Sequence, residues 1–246
     1  MFLANENSSQ PKRHTSTSNF DTLMLIATAN TIRVWKFNPY HDKGGRFASG
    51  GSGGDRLSDL GNEESAVQEG KAWVSSLNAG EHASVESHTF WSTGLNETLR
   101  RGNKEETSRY QKRIDGLDTA LTKATTTKDY VVYRGEARPG LGKELKGSTG
   151  KLMTDRAYGS TTMSEYKAGK FAALAQRSRG STETAIYEIR VPKGAHAAWL
   201  HQVSVYAKEP EHELLLPRNS VYHVVSVVES KSGVNRHYQV VLEYRG

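Results

Sequence analysis

The hydrophobic period of this chain changes once, near Lys128, from helical to strand-like spacing. Before that point, residues 62 to 125 carry apolar side chains at helical intervals. Val67, Trp73, Val74 and Leu77 form the stripe of a first helix, expected to end near Asn78, Ala79 and Gly80, because Asn and Gly are common helix stops. A second helix is expected from about Ser84, with Glu86 and Ser87 in its first turn. A third carries Leu95 and Leu99 and should stop near Gly102. In a fourth, Ile114, Leu117 and Leu121 fall at i, i+3 and i+7 and make a single apolar face. Beyond Lys128 the runs are β-formers: Tyr130 to Tyr133, Ala185 to Val191, Leu214 to Leu216, Val221 to Val228 and Tyr238 to Tyr244. Pro192-Lys193-Gly194 and Pro217-Arg218-Asn219 supply turns. Helices followed by strands predict an α+β domain, and no internal repeat competes with that reading.

Upstream, residues 1 to about 20 are rich in Ser, Thr, Asn and Gln and read as a mobile terminus. A short apolar stretch with Trp35 and Phe37 follows, then Pro- and Gly-marked turns and the linker Gly51-Ser52-Gly53-Gly54. The expected boundary lies near residue 56, with a flexible segment over 1–56 and a folded domain over 57–246. Only 35% of the 246 residues are hydrophobic, which fits a chain that keeps part of its length outside a core. There is no cysteine, so disulfides, thiolate chemistry and Cys-based zinc sites are excluded. His196, His201 and His212 lack the i, i+4 spacing of a helical metal site, and no metal is expected. The apolar run Leu23 to Ala29 is too short to cross a bilayer, so no membrane span is expected, and no secretory leader is read. A formal net charge of +6 favours anionic partners.

Three segments carry chemistry. In Glu209-Pro210-Glu211-His212-Glu213-Leu214-Leu215-Leu216-Pro217, a strand is expected to begin after Pro210. Glu211 and Glu213 would then share one face, with Cα atoms about 6–7 Å apart, while Leu214 and Leu216 face the core. Two carboxylates so placed repel and titrate as a coupled pair. The second segment, Tyr130-Val131-Val132-Tyr133-Arg134-Gly135, sets an arginine after an apolar strand. Its planar fork suits phosphate oxygens, and Gly135 would let backbone approach a ligand. The third, Tyr158-Gly159-Ser160-Thr161-Thr162-Met163-Ser164, offers successive hydroxyls on an extended piece before a helix with Phe171, Leu174 and Ala175 on one side. Each has an ordinary alternative when taken alone: a solvated acidic edge, a strand-end arginine in water, a helix-capping turn. No Walker-type or dinucleotide-fold glycine loop is present.

In order, Arg134, then Ser160-Thr161-Thr162, then Glu211-His212-Glu213 resemble the R-S-E class of ADP-ribosyltransferase exoenzymes, the arginine-modifying, toxin-like type. Ile189 to Gly194 resembles the family's strand and turn between the last two motifs. Ser92-Thr93-Gly94, Asn96, Leu99-Arg100 and Leu117-Asp118-Ala120-Leu121 resemble its helical lead-in, so the likeness spans roughly residues 63 to 230. The resemblance implies N-terminal helices on a two-sheet β core and a mono-ADP-ribosyltransferase that takes NAD as substrate. By it, Arg134 binds an NAD phosphate, with Gly135 and Thr161 lining the site. Ser160 positions Glu213, which stabilises the oxocarbenium-like state as nicotinamide leaves. Glu211 activates the attacking group, in the family an arginine side chain, and Tyr206 falls in the loop that presents the acceptor. Phe171 lies where the family places an aromatic against nicotinamide. Thr162 departs from the family's second Ser; it keeps the hydroxyl but restricts the rotamer. Residues Phe37 to Gly50 also resemble a short motif of tailed-phage head and minor capsid proteins, which implies a phage-borne protein in the virion or the host cytoplasm. The expected partners are NAD and a host acceptor protein, with the chain acting as a monomer. A nucleic acid acceptor, simple NAD hydrolysis and a non-catalytic phage structural role are the alternatives. The Arg-Ser-Glu-Glu set argues against the last.

Overall fold

The computed structural model describes residues 60–203 and 212–246, all within one compact unit, Pro39–Gly246. The N-terminal segment, its phage-type motif and the boundary near residue 56 lie outside the described residues, as do Tyr206 and Glu211.

Five helices come first: α1 (Glu63–Ser75), α2 (Ala79–Phe90), α3 (Ser92–Arg101), α4 (Lys104–Ser108) and α5 (Gln111–Thr122). Asn78 is the N-cap of α2 rather than a stop for α1. Its side chain accepts from the Glu81 N–H while the Glu81 carboxylate accepts from the Asn78 N–H. That reciprocal cap starts the helix at Ala79, ahead of the start expected near Ser84. Gly102 ends α3 as expected, in the left-handed conformation at φ 69°. Ile114, Leu117 and Leu121 of α5 are buried together with Trp73, Val85, Leu95 and Leu99.

The strands follow: β1 (Tyr130–Ala137), β2 (Leu152–Asp155), β3 (Gly159–Thr162), β4 (Glu183–Val191), β5 (Ala198–Trp199), β6 (Glu213–Leu216), β7 (Ser220–Ser232) and β8 (Asn235–Tyr244). Two further helices, α6 (Leu141–Leu145) and α7 (Glu165–Arg179), fall between them. The strands run β2-β7-β8-β4-β1-β3-β6-β5. The two expected sheets are therefore joined into one, through the residue pair Tyr133–Thr162 between β1 and β3. The helix-first, strand-second architecture is α+β as the change of period predicts.

β6 is the wall between two cores. Successive strand residues point to opposite faces. Leu214 and Leu216 enter a cluster with Tyr130, Val132, Trp199 and Tyr222, while Leu215 enters the helical cluster with Leu95, Leu117 and Tyr158. All three leucines are fully buried, which is why the run is continuous rather than alternating. The Glu69 carboxylate fastens α1 to this wall. It accepts from Tyr130 Oη at 2.8 Å, the Thr127 N–H at 3.0 Å, Trp199 Nε1 at 3.2 Å and the Thr127 hydroxyl.

Helix α7 is oriented differently from the expectation. Ala168 and Ala172 are its buried residues, and Phe171 and Leu174 are about half exposed. Gly135 explains this. A Cβ there would stand 1.9 Å from the Ala168 carbonyl oxygen, so the backbone of α7 lies directly on β1. Only alanine-sized side chains fit such a contact, and the larger ones turn outward.

Candidate active site

Arg134 lies in the middle of β1, not at a strand end. Its pairing with Tyr187 of β4 continues through Gly135 to Ala137. The Arg134 guanidinium rests beside Gly159, the first residue of β3. A Cβ at Gly159 would lie 3.5 Å from Arg134 Nη1, an ordinary contact distance, so the two groups are direct neighbours. Nη1 pairs with Asp155 Oδ2 at 3.4 Å. Burial opposes the charge on Arg134, but Asp155, Glu136 and the surrounding tyrosines outweigh it and raise its pKa above the ordinary value.

The same carboxylate binds a second arginine. Arg100 of α3 donates from Nε to Asp155 Oδ1 at 3.1 Å and from Nη2 to Oδ2 at 3.0 Å, a two-pronged pair. Asp155 Oδ1 also accepts from the Ala157 N–H at 3.0 Å. Burial would push the Asp155 carboxyl up, yet Arg134 and Arg100 hold it below the usual carboxylate range. Arg100 and Asp155 are missing from the site expected on sequence. The Leu99-Arg100 dipeptide resembles part of the family's helical lead-in and no more, and nothing in the spacing joins Arg100 to a residue 55 positions later.

Ser160 and Glu213 are set by the antiparallel register of β3 and β6. Thr162 faces Glu213 and Ser160 faces Leu215. Directly opposed residues share a face, and so do residues two apart on one strand. Ser160, Thr162 and Glu213 therefore line one face, toward the helical core that holds Tyr158 and Leu215. Thr161 points the other way, and its hydroxyl donates to the Leu214 carbonyl at 2.7 Å inside the protein. That bond fixes the β3–β6 pair and takes Thr161 away from the lining expected of it. The Glu213 carbonyl accepts from the Leu200 N–H at 2.9 Å, which anchors the start of β6.

Across β1 the row continues: Tyr133 faces Thr162 on one side and Glu188 of β4 on the other. Arg134, one residue on, points to the opposite face, beside Gly159 and the Asp155 carboxylate.

The remaining candidates divide. β6 begins at Glu213, and His212 before it has φ 41°, so the extended geometry expected for the Glu211 and Glu213 pair does not run through His212. Gly135 serves the contact with α7, which gives a packing reason for a glycine expected to admit a ligand. Phe171 sits on the outer side of α7. Among the described residues no group of three His, Asp or Glu side chains is placed to hold a metal ion. None of their helices is long and apolar enough to cross a membrane.

An α+β core with one eight-stranded sheet, an arginine pair at one end of β3 and a carboxylate across from its other end defines a class of protein. Residues 66–245 match the family model described as ADP-ribosyltransferase exoenzyme, and the chain belongs to that family. Its members use NAD as the donor of ADP-ribose. A curated relative, the mono-ADP-ribosyltransferase C3 of Clostridium botulinum D phage, is 24% identical over 189 residues, covering 68% of this chain and 73% of that protein. Among solved structures, the ADP-ribosyltransferase toxin Plx2a of Paenibacillus larvae aligns with TM-score 0.61 and 22% identity over 75% of this chain and 94% of its own. C3larvin, an ADP-ribosyltransferase toxin from the same organism, aligns with TM-score 0.54 and 26% identity, over 71% and 99%. C3stau2 of S. aureus, solved with NAD, aligns with TM-score 0.53 and 20% identity, over 76% and 98%.

Proposed function

We propose that this enzyme transfers ADP-ribose from NAD to an arginine side chain of a host protein and releases nicotinamide. The observation that carries the reading is the placement of two arginine forks at the Gly159 end of β3, while Ser160, Thr162 and Glu213 line one face beside it. Arg134 and Arg100 bind the diphosphate, for which guanidinium geometry is suited. Ser160 orients Glu213, and Glu213 holds the nicotinamide ribose. As the ribose C1′–nicotinamide bond breaks, its electrons leave with neutral nicotinamide. The Glu213 carboxylate stabilises the positive charge left on the ribose. Glu211 removes a proton from the attacking guanidinium, whose nitrogen then bonds to C1′. Tyr206 contributes to acceptor recognition, and Phe171 packs near nicotinamide if α7 shifts on binding. No metal takes part.

The arginine acceptor follows from Glu211, the residue type that goes with arginine in the resembling class. The C3 relative carried by a phage and the motif at Phe37 to Gly50 support a phage-borne enzyme that acts in the virion or the host cytoplasm. The experiment compares wild type with Glu211→Gln, using labelled NAD and a small guanidine acceptor. The variant should lose transfer while keeping measurable nicotinamide release, because Glu213 remains. Equal loss of both activities would overturn the division of roles, and label on nucleic acid rather than guanidine would overturn the acceptor.

A further inference from the structure

Asp155 ends β2, an edge strand paired with β7, yet its carboxylate ties together a helix and a strand that are distant in sequence. Oδ1 and Oδ2 receive the Arg100 fork at 3.1 and 3.0 Å, Oδ2 also receives Arg134 at 3.4 Å, and the Ala157 N–H holds Oδ1 at 3.0 Å. We propose that Asp155 is a positioning residue that holds Arg100 and Arg134 as a preset double fork for the diphosphate of the donor. This deepens the reading of NAD as substrate and rests on it.

Three features support the assignment. First, the donors are incompletely used. A guanidinium carries five N–H groups. Among the described residues, Arg134 makes one bond to Asp155 and Arg100 leaves Nη1 outside the fork, so both keep donors for an incoming anion. Second, the charges fit. Two guanidinium groups and one carboxylate leave a net positive site, whereas two bare guanidinium groups would repel each other and splay. Third, the carboxylate is itself locked. The Ala157 backbone bond fixes its plane, and the Arg100 pair is the shorter of its two ion pairs. Ordering two long side chains in the folded enzyme removes an entropy loss that binding would otherwise carry.

The test uses the full chain and four variants, with two readouts: the Kd for ADP-ribose by calorimetry, and KM and kcat for NAD from nicotinamide release. Asp155→Asn keeps size and an acceptor for the Ala157 N–H but removes the charge. It should raise Kd and KM by about tenfold while kcat falls by less than about threefold, the signature of lost binding rather than lost chemistry. Asp155→Glu should fall between wild type and Asp155→Asn in both constants, and it keeps the test alive if the Asn variant melts early. In a double-mutant cycle, Asp155→Asn should cost less in the Arg100→Ala background than in wild type, because part of its effect runs through Arg100 and only the part through Arg134 is left. A fall in kcat with Kd and KM unchanged, or fully additive effects in the cycle, would overturn the proposal. A wild-type chain that binds and cleaves NAD beside an unaffected Asp155→Asn overturns this inference alone. A wild type that does neither overturns the NAD reading and this inference with it.

Discussion

Lowering the pH should destabilise this enzyme through one buried histidine. His88 of α2 is 1% exposed, and neither ring nitrogen has a hydrogen-bond partner among the described residues. Its ring meets the edge of Tyr158, with centroids 5.3 Å apart. Burial first, and the Arg113 cation second, push its pKa from the ordinary value of 6.5 down to about 3. The unfolded chain takes up the proton near pH 6.5, but the folded chain does so only near pH 3. Stability is therefore fully present above about pH 6.5 and drains away as pH falls toward 3, by about 1.4 kcal/mol per pH unit. From pH 8 to pH 5 the loss from this one group is roughly 2 kcal/mol. For a domain of this size that is a fall in Tm of about 4–8 °C. The assay is urea unfolding of wild type and His88→Leu at both pH values, since the other titrating groups are shared and cancel in the difference. His88→Leu should be close to wild type at pH 8, because an apolar replacement removes an unpartnered polar group. It should exceed wild type by roughly 2 kcal/mol at pH 5. Equal pH dependence in the two proteins would refute the reasoning, and so would a large loss at pH 8, which would mean that the ring makes a bond in the native state.

Two other substitutions test the packing that positions the site. Gly135→Ala puts a methyl 1.9 Å from the Ala168 carbonyl oxygen, so α7 must move off β1, at a cost of about 3 kcal/mol measured by urea midpoint. A stability near wild type would contradict the close contact. Glu69→Ala removes the acceptor shared by Tyr130, Trp199 and Thr127. It should cost about 2 kcal/mol in the same assay, with Glu69→Gln recovering part, because the buried Trp199 Nε1 is left unpaired while Tyr130 keeps Ser65 and Thr127 turns to water. Equal stability of the Ala and Gln variants would show that the carboxylate's contacts do not hold α1.

The α+β order was legible because the period of the apolar residues is a local property. Ile114, Leu117 and Leu121 predict one face, and one face is what α5 buries. Leu214 to Leu216 were legible as a strand with Leu214 and Leu216 facing the core, whereas the burial of Leu215 was not. That the strand divides two cores was not, since it depends on what packs against each side. Asn78 was open to correct reading, because Glu81 three residues on completes a capping box. The apolar side of α7 misled because periodicity marks Phe171 and Leu174, whereas the packing there is decided by a glycine on another element. Within the candidate site, Ser160 and Glu213 were brought near each other by a register no single segment contains. The Arg100–Asp155–Arg134 cluster joins three elements, so no motif of consecutive residues could reveal it.

The central claim is that Glu213 drives cleavage of the NAD glycosidic bond. Nicotinamide release and label transfer from NAD to host proteins, measured for wild type beside Glu213→Gln, test it most directly. Wild type should give discrete labelled proteins and steady nicotinamide release, and the variant should lose both while its Tm stays near that of wild type. A Glu213→Gln variant that keeps full activity would contradict the account.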